Sequence, residues 1–317
     1  MSDGYRVRLL EPHEMERWDR FVADAENGTL FSRTAYLRHA GRVEILGVFA
    51  GDRLVAGHAL PVTGRDGALH VERSSYIAPY WAPVLERSNG RRVYCDRTRR
   101  AMLAALIDAV RGRYASLVLP LHHSISDMTP YQQAHCNLEL RYTYMLSLES
   151  TQSIWEGMES GVRNHIRRAS AVDIVADTGL RWFDFDAALF YEPPHHVAPW
   201  RGLIAEMVAA DCGQPFVAFS DGRPVGALFL AYDSHTAYDL LSYFDREHAP
   251  RGLPAALIWH AIRFAHARGL HAFDFEGSVL PDIENFFQSF GGERRHYFQV
   301  HWHARPEEYR PILYYYT

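Results

Sequence analysis

Two stretches of this chain repeat one pattern at a fixed offset of 170 residues, carrying Phe49, Arg53, Val55 and Leu60 onto Phe219, Arg223, Val225 and Leu230. Residues 48–60 read VFAGDRLVAGHAL and residues 218–230 read AFSDGRPVGALFL. Each puts a turn pair, Gly51-Asp52 or Asp221-Gly222, between two apolar runs, as a two-residue β-hairpin requires. The neighbouring segments repeat as well. A Ser-Tyr strand comes next, SSYI at 74–77 and LSYF at 241–244. A helix is predicted over 97–111 in the first half, with Asp96 as its N-cap. Its counterpart over 253–268 has Pro254 in the first turn and Gly269 as its stop. The strands SLVLPL (116–121) and HAFDFEG (271–277) close the two halves. Hairpin, strand, helix, strand, used twice, predicts an α/β chain of two duplicated domains, each a mixed central sheet flanked by helices.

The join is legible too. LRYTYMLSLE (140–149) alternates as a strand does, and a helix then opens at Ser153 with Glu156 completing a capping box. Trp155, Met158, Val162, Ile166 and Ala169 come after it at helical steps and mark a buried stripe. This places the domains at 1–149 and 150–317.

Composition removes several classes of function. A net charge of −5 excludes a globally basic nucleic-acid binder while leaving room for a local basic face. All 33 basic residues are arginine, so Schiff-base, general-base and P-loop lysine chemistry is unavailable. Phosphate would have to be held by arginine, backbone N–H groups or helix N-termini. No apolar run is long enough for a signal peptide core or a membrane span, which predicts a cytoplasmic protein. Cys95, Cys136 and Cys212 are too few and too scattered for a disulfide or zinc framework and are expected as buried reduced thiols. The histidine pairs 122–123 and 195–196 are adjacent and do not converge as an i, i+4 pair would, so no metal or other cofactor is called for. No G-x-S-x-G elbow supports a serine hydrolase.

Three clusters are candidates for chemistry. In ESGVRNHIRRAS (159–170), Arg163 and Arg167 share a helix face, as do Asn164 and Arg168; they form either a solvated positive helix end or an anion site. In RRVYCDRTRR (91–100), Arg97, Arg99 and Arg100 would fall in a helix's first turn, where the dipole disfavours cations unless solvent or a bound anion intervenes. The matching helix start in the second half, HAPRGLPA (248–255), carries Arg251. The third cluster is FDFEGS (273–278). On a strand, Asp274 and Glu276 would face one side and Phe273 and Phe275 the other. The acids would then be exposed at an edge or would line a polar cleft, with Gly277-Ser278 allowing close approach of a ligand. The later run Ile283, Phe286, Phe287, Phe290 has helical spacing and is expected in the core.

NHIRRA (164–169), YDLLSYFD (238–245), DFEGS (274–278) and FFQSFGGE (286–293) resemble the Fem-type aminoacyl-tRNA-dependent transferases. The match is best over about 140–300. It implies two tandem GNAT-like domains and an acyl transfer from aminoacyl-tRNA to an amine, either a small molecule or a peptide of the peptidoglycan-precursor kind. It implies further that the strands at 236–244 and 271–277 splay apart, with Tyr243, Asp274 and Glu276 lining the gap as proton handlers, amine binders or hydrogen-bond donor. Arg163, Asn164, Arg167, Arg251 and Ser278 would bind substrate, and Arg97, Arg99 and Arg100 the tRNA backbone. The segment APRGLP departs from the Q/R-x-x-G-x-G/A loop with which acetyltransferases of the fold hold the CoA pyrophosphate. Two rivals remain: an acyl-CoA-dependent N-acyltransferase, and a binding module without catalysis.

Overall fold

A computed structural model describes residues 4–72, 78–88, 90–189, 197–277 and 280–305. Ser278, the SSYI segment and His195-His196 lie outside these residues. The chain forms two compact units, 1–140 with 297–317, and 141–296.

The first unit contains strands β1 (Tyr5–Leu9), β2 (Val43–Ala50), β3 (Arg53–Arg65), β4 (Ala68–Glu72), β5 (Val84–Leu85) and β6 (Ser116–Pro120). Its helices are α1 (Met15–Asp24), α2 (Thr34–Leu37), α3 (Arg92–Arg113) and α4 (Thr129–Gln133). Strand β7 (Asn137–Ser147) leads into the second unit. There lie β8 (Asp173–Ala176), β9 (Gly213–Ser220), β10 (Arg223–Tyr232), β11 (Thr236–Phe244) and β12 (Ala272–Asp274). The helices of this unit are α5 (Thr151–Gly157), α6 (Ser160–Arg168), α7 (Phe185–Ala188), α8 (Val197–Ala209), α9 (Leu253–Ala267) and α10 (Pro281–Gln288). The last strand is β13 (Glu293–His303).

The units share one topology. In the first, the order is β1-β2-β3-β4-β6-β13; in the second, it is β8-β9-β10-β11-β12-β7. In each, an antiparallel run ends in one parallel pair, β4/β6 or β11/β12, joined across a long helix. The hairpins fall where the repeat placed them. Ala50 pairs Arg53, and Ser220 pairs Arg223. Asp221 and Gly222 have φ of 51° and 75°, the left-handed pair that a type I′ turn needs.

The domain limits differ from the expected 149/150 division. The strand 137–147 enters the second unit nine residues earlier, pairing Met145 through Ser147 with β12. The chain's last described strand completes the first unit's sheet, pairing Gln299 through His303 with β6. Each half therefore lends the final strand of a sheet rather than ending at a linker.

The core of the second unit packs α9 on the sheet. Leu253, Leu257, Ile258, Ala261, Ile262 and Ala265 are buried against Leu228, Leu230 and Phe273. Each buried Leu or Ile contributes roughly 1.5–3 kcal/mol, and the alanines let the helix lie close. The stripe Met158, Val162, Ile166 and Ala169 is buried as expected, with Trp155 partly so. It is not one helix, however. Ser150, not Ser153, caps α5 by accepting the Ser153 N–H, and the chain turns extended at Met158 and Glu159 before α6. The break lets the Glu159 N–H bond the Ser289 carbonyl at 2.9 Å. Of the run at 283–290, only Phe290 is fully buried; Ile283 is exposed, and Phe286 and Phe287 lean against the core. Among the thiols only Cys136 is buried, and burial pushes it up to about 12. No helix among the described residues is long and apolar enough to cross a membrane.

Candidate active site

β11 and β12 run side by side for only three pairs, Thr236 with Ala272, Ala237 with Phe273 and Tyr238 with Asp274. β12 then stops while β11 continues to Phe244. From Asp239 onward this edge of β11 has no ladder partner among the described residues. Unpaired backbone N–H groups beside a gap are suited to receive a developing oxyanion.

The strand ends at Asp274 because its own side chain takes over. The Asp274 carboxylate is fully buried, and its Oδ1 accepts the Thr143 hydroxyl at 2.6 Å and the Glu276 N–H at 2.8 Å. That second bond is an Asx-type turn, which competes with the sheet ladder for the backbone donor. Glu276 is thereby driven to φ 59° and Gly277 to φ 75°. A left-handed glutamate is uncommon and costs on the order of 1–3 kcal/mol, which the surroundings must over-determine. Gly277 is obligatory here: a Cβ would sit 2.0 Å from the Tyr142 carbonyl oxygen. The expected alternation, with both acids on one strand face, is thus corrected. Asp274 ends the strand and Glu276 occupies a strained turn beyond it.

A third acid joins them. Asp239, the first residue of the splayed edge, has an Oδ1 sealed from solvent with no hydrogen-bond partner among the described residues, and so does Glu276 at Oε1. Burial pushes Asp239 up to about 7. Glu276 is raised well above the usual carboxylate range by burial first, then by the charges of Asp274 and Asp239. The cluster therefore pairs a glutamic acid whose hold on its proton is strengthened by burial and by two neighbouring acids with an aspartate pushed up to about 7. Environments that separate two carboxyl groups in this way assign one as acid and the other as base. Asp239 is the member of this cluster that sequence reasoning misses, although it lies within YDLLSYFD; an acid inside an otherwise apolar strand is the available signal.

The other expected residues do not gather here. Tyr243 packs on Phe183 at 6.0 Å between ring centroids, and its hydroxyl accepts the Asp184 N–H at 2.9 Å. Burial pushes its phenol up to about 12, and the charges acting on it are those of Asp184 and Asp177 rather than Asp274 or Glu276. It belongs to an aromatic layer on a loop that Asp177 holds by accepting three backbone N–H groups, from Arg181, Trp182 and Phe183. Arg163 Nη1 donates to the Trp155, Glu156 and Met158 carbonyls, closing the end of α5. It is a cap, and Arg163→Ala should lower stability by about 1–2 kcal/mol in chemical denaturation without changing turnover of the folded enzyme. Arg167 donates to Asn164 Oδ1 and lies over the Trp155 ring. Arg251 is exposed, one residue before Gly252, whose backbone presses on the His165 carbonyl; a Cβ on Gly252 would lie 2.3 Å from that oxygen.

In the first unit, α3 begins at Arg92, so Arg97, Arg99 and Arg100 lie beyond its first turn and the expected conflict with the dipole disappears. Arg99 pairs with Glu26, and Arg100 Nε with Asp127 at 2.7 Å; Arg97 is exposed. Arg99 and Arg100 line a cavity of about 400 Å³ together with these two acids.

Comparison with known proteins agrees with the topology. Residues 163–287 match a family model described as an acetyltransferase (GNAT) domain. A tandem GNAT protein from the clavulanic acid biosynthesis pathway superposes with a TM-score of 0.55 at 15% identity, covering 95% of this chain and 99% of its own. This chain has the tandem GNAT fold. FemX shares that fold at a TM-score of 0.64 and 10% identity, over 92% of this chain and 96% of FemX. So does the C-terminal domain of an Agrobacterium fabrum protein described as a putative lysylphosphatidylglycerol synthetase, at a TM-score of 0.59 and 11% identity over 93% of both chains. No curated protein matches the sequence. At these identities the tandem GNAT likeness is one of fold.

Proposed function

We propose that this protein transfers an aminoacyl group from aminoacyl-tRNA to the amine of a small molecule or peptide, forming an amide. The observation that carries this reading is the pair of sealed carboxyl oxygens of Asp239 and Glu276 at the splayed strand edge, which have no hydrogen-bond partner among the described residues. The amine nitrogen attacks the ester carbonyl, and the bond from that carbon to the ribose oxygen breaks. Asp239 takes the proton lost by the amine, Glu276 gives one to the departing ribose oxygen, and the β11 edge receives the oxyanion. Asp274 positions Glu276 by holding its N–H.

An ester donor fits the start of α9 better than CoA does. The segment APRGLP lacks the diphosphate loop, and the Gly252 backbone is packed on a carbonyl oxygen, an acceptor where a diphosphate needs donors. The likeness to FemX and to a neighbour whose name describes a lysylated product points the same way. The match of 163–287 to an acetyltransferase model favours the second reading, an acyl-CoA-dependent N-acyltransferase. Offering the purified protein a labelled aminoacyl-tRNA and a labelled acyl-CoA side by side separates the two. Transfer abolished by RNase is the expected result; transfer that survives RNase and requires the thioester would replace the tRNA donor with CoA.

A further inference from the structure

The outer face of α9 carries an arrangement that the carboxylate cluster does not use. Trp259 is half-buried at the margin of the core and Arg263, one turn on, is exposed, while Ile258, Ala261 and Ile262 beside them are buried. Next to this face, α5 presents Thr151, Gln152 and Trp155, and the five side chains line an open hollow of about 330 Å³. The two indoles meet at 5.3 Å between centroids and 46° between planes, so they form an angled shelf rather than a closed stack. Arg167 lies over the Trp155 ring at 5.2 Å. Arg263 is exposed and has no hydrogen bond or ion pair among the described residues. None of the five lining residues is acidic, and the nearby Glu156 carboxylate is engaged by the Gln152 amide.

A half-buried indole beside an unpaired guanidinium, with a hydroxyl and an amide at the rim, matches the parts of a nucleotide one by one. The indole offers a face for the base, the arginine a fork for a phosphate, and the Thr151 hydroxyl and the Gln152 amide oxygen offer groups for a base edge or a ribose hydroxyl. An apolar partner would leave Arg263 desolvated and unpaired, and a lone anion would not use the indoles. In a chain with net charge −5, such a local basic and aromatic patch is where a polyanion would be received.

We infer that the Trp155–Trp259–Arg263 shelf binds one unpaired nucleotide of an RNA, with its base against Trp259 and its phosphate on Arg263. The identity of that RNA as the aminoacyl-tRNA donor rests on the proposed function; the stacking chemistry does not.

The test titrates the protein with fluorescently labelled single-stranded hexa-adenylate and with uncharged tRNA, following anisotropy and tryptophan quenching over a range of salt. Trp259→Ala should weaken binding about tenfold, the scale of one lost base stack. Arg263→Glu, on the surface, guards against a Trp259 variant that fails to fold. It should weaken binding about as much and lower the salt slope by about one. Wild-type affinity in both folded variants would overturn the shelf. The two proposals fail separately. Unchanged KM for aminoacyl-tRNA in both variants, with transfer intact, removes the shelf and leaves the donor standing. RNA binding that both variants weaken, with no transfer from aminoacyl-tRNA, keeps the shelf and removes the donor.

Discussion

Asp239→Asn is expected to slow amide formation by about 10²- to 10³-fold, the loss typical of a removed general base, and to make the protein more stable above neutral pH. Both effects come from one burial. The wild-type carboxyl is pushed up to about 7, against an unfolded value of about 3.9. The folded state therefore holds this proton more tightly. Its contribution to stability is full below the unfolded value, declines as pH rises, and is lost once pH passes the folded value near 7. At about 1.4 kcal/mol for each unit of difference, the loss is on the order of 4 kcal/mol. Asparagine cannot ionise and escapes it. Melting curves for the two proteins should coincide most closely near pH 4 and diverge in favour of the variant by pH 8. The wild-type rate should fall as pH drops below 7, because the base is then protonated. A variant with wild-type turnover would remove Asp239 from the chemistry even if the stability shift were found.

Gly277→Ala is expected to be among the most damaging single-methyl changes in the second unit, costing about 2–4 kcal/mol and most of the activity. The added Cβ would lie 2.0 Å from the Tyr142 carbonyl oxygen, and the residue sits at φ 75°. Neither conflict can be relieved by a side chain moving aside, since the opposing atom is backbone. Any relief would shift the Asp274–Glu276 turn next to it. Gly222→Ala is the control: its φ is also 75°, but open space surrounds it, so it should cost only about 1 kcal/mol. Urea unfolding with equal slopes and a clearly lower midpoint for Gly277→Ala checks the first claim. Equal midpoints for the two variants would show that the close approach is not what demands glycine.

The parts of the fold set by local chemistry are readable from the residues. Asp221-Gly222 dictates its hairpin, and Gly269, at φ 76°, stops α9 where the pattern ends. The mixed sheets are implied by the duplicated order, and the splay by the resemblance to Fem-type proteins alone. The misplaced features are decided by contacts between residues distant in sequence or by side chains that capture backbone groups. HAFDFEG looks like a full strand, yet the Asp274 carboxylate captures the Glu276 N–H and ends it at three residues. The stripe from Trp155 to Ala169 keeps helical spacing through a break at which Glu159 meets Ser289. Helix α3 begins before Asp96 without any side-chain cap, which deprives its start of a sequence signal. Arg163 looks free on its helix face but is consumed by three carbonyls of the preceding helix. Asp239 matters because β12 ends early, and that ending is itself hidden in the sequence.

The most direct measurement follows amide formation by mass spectrometry, with aminoacyl-tRNA as donor and a panel of amines as acceptors. It compares wild type with the double variant Asp239→Asn, Glu276→Gln under single-turnover conditions. The account predicts an amide whose mass equals acceptor plus aminoacyl group, formed by the wild type, abolished by RNase and slowed at least 10²-fold in the double variant. Product formed at the wild-type rate by the double variant would contradict it.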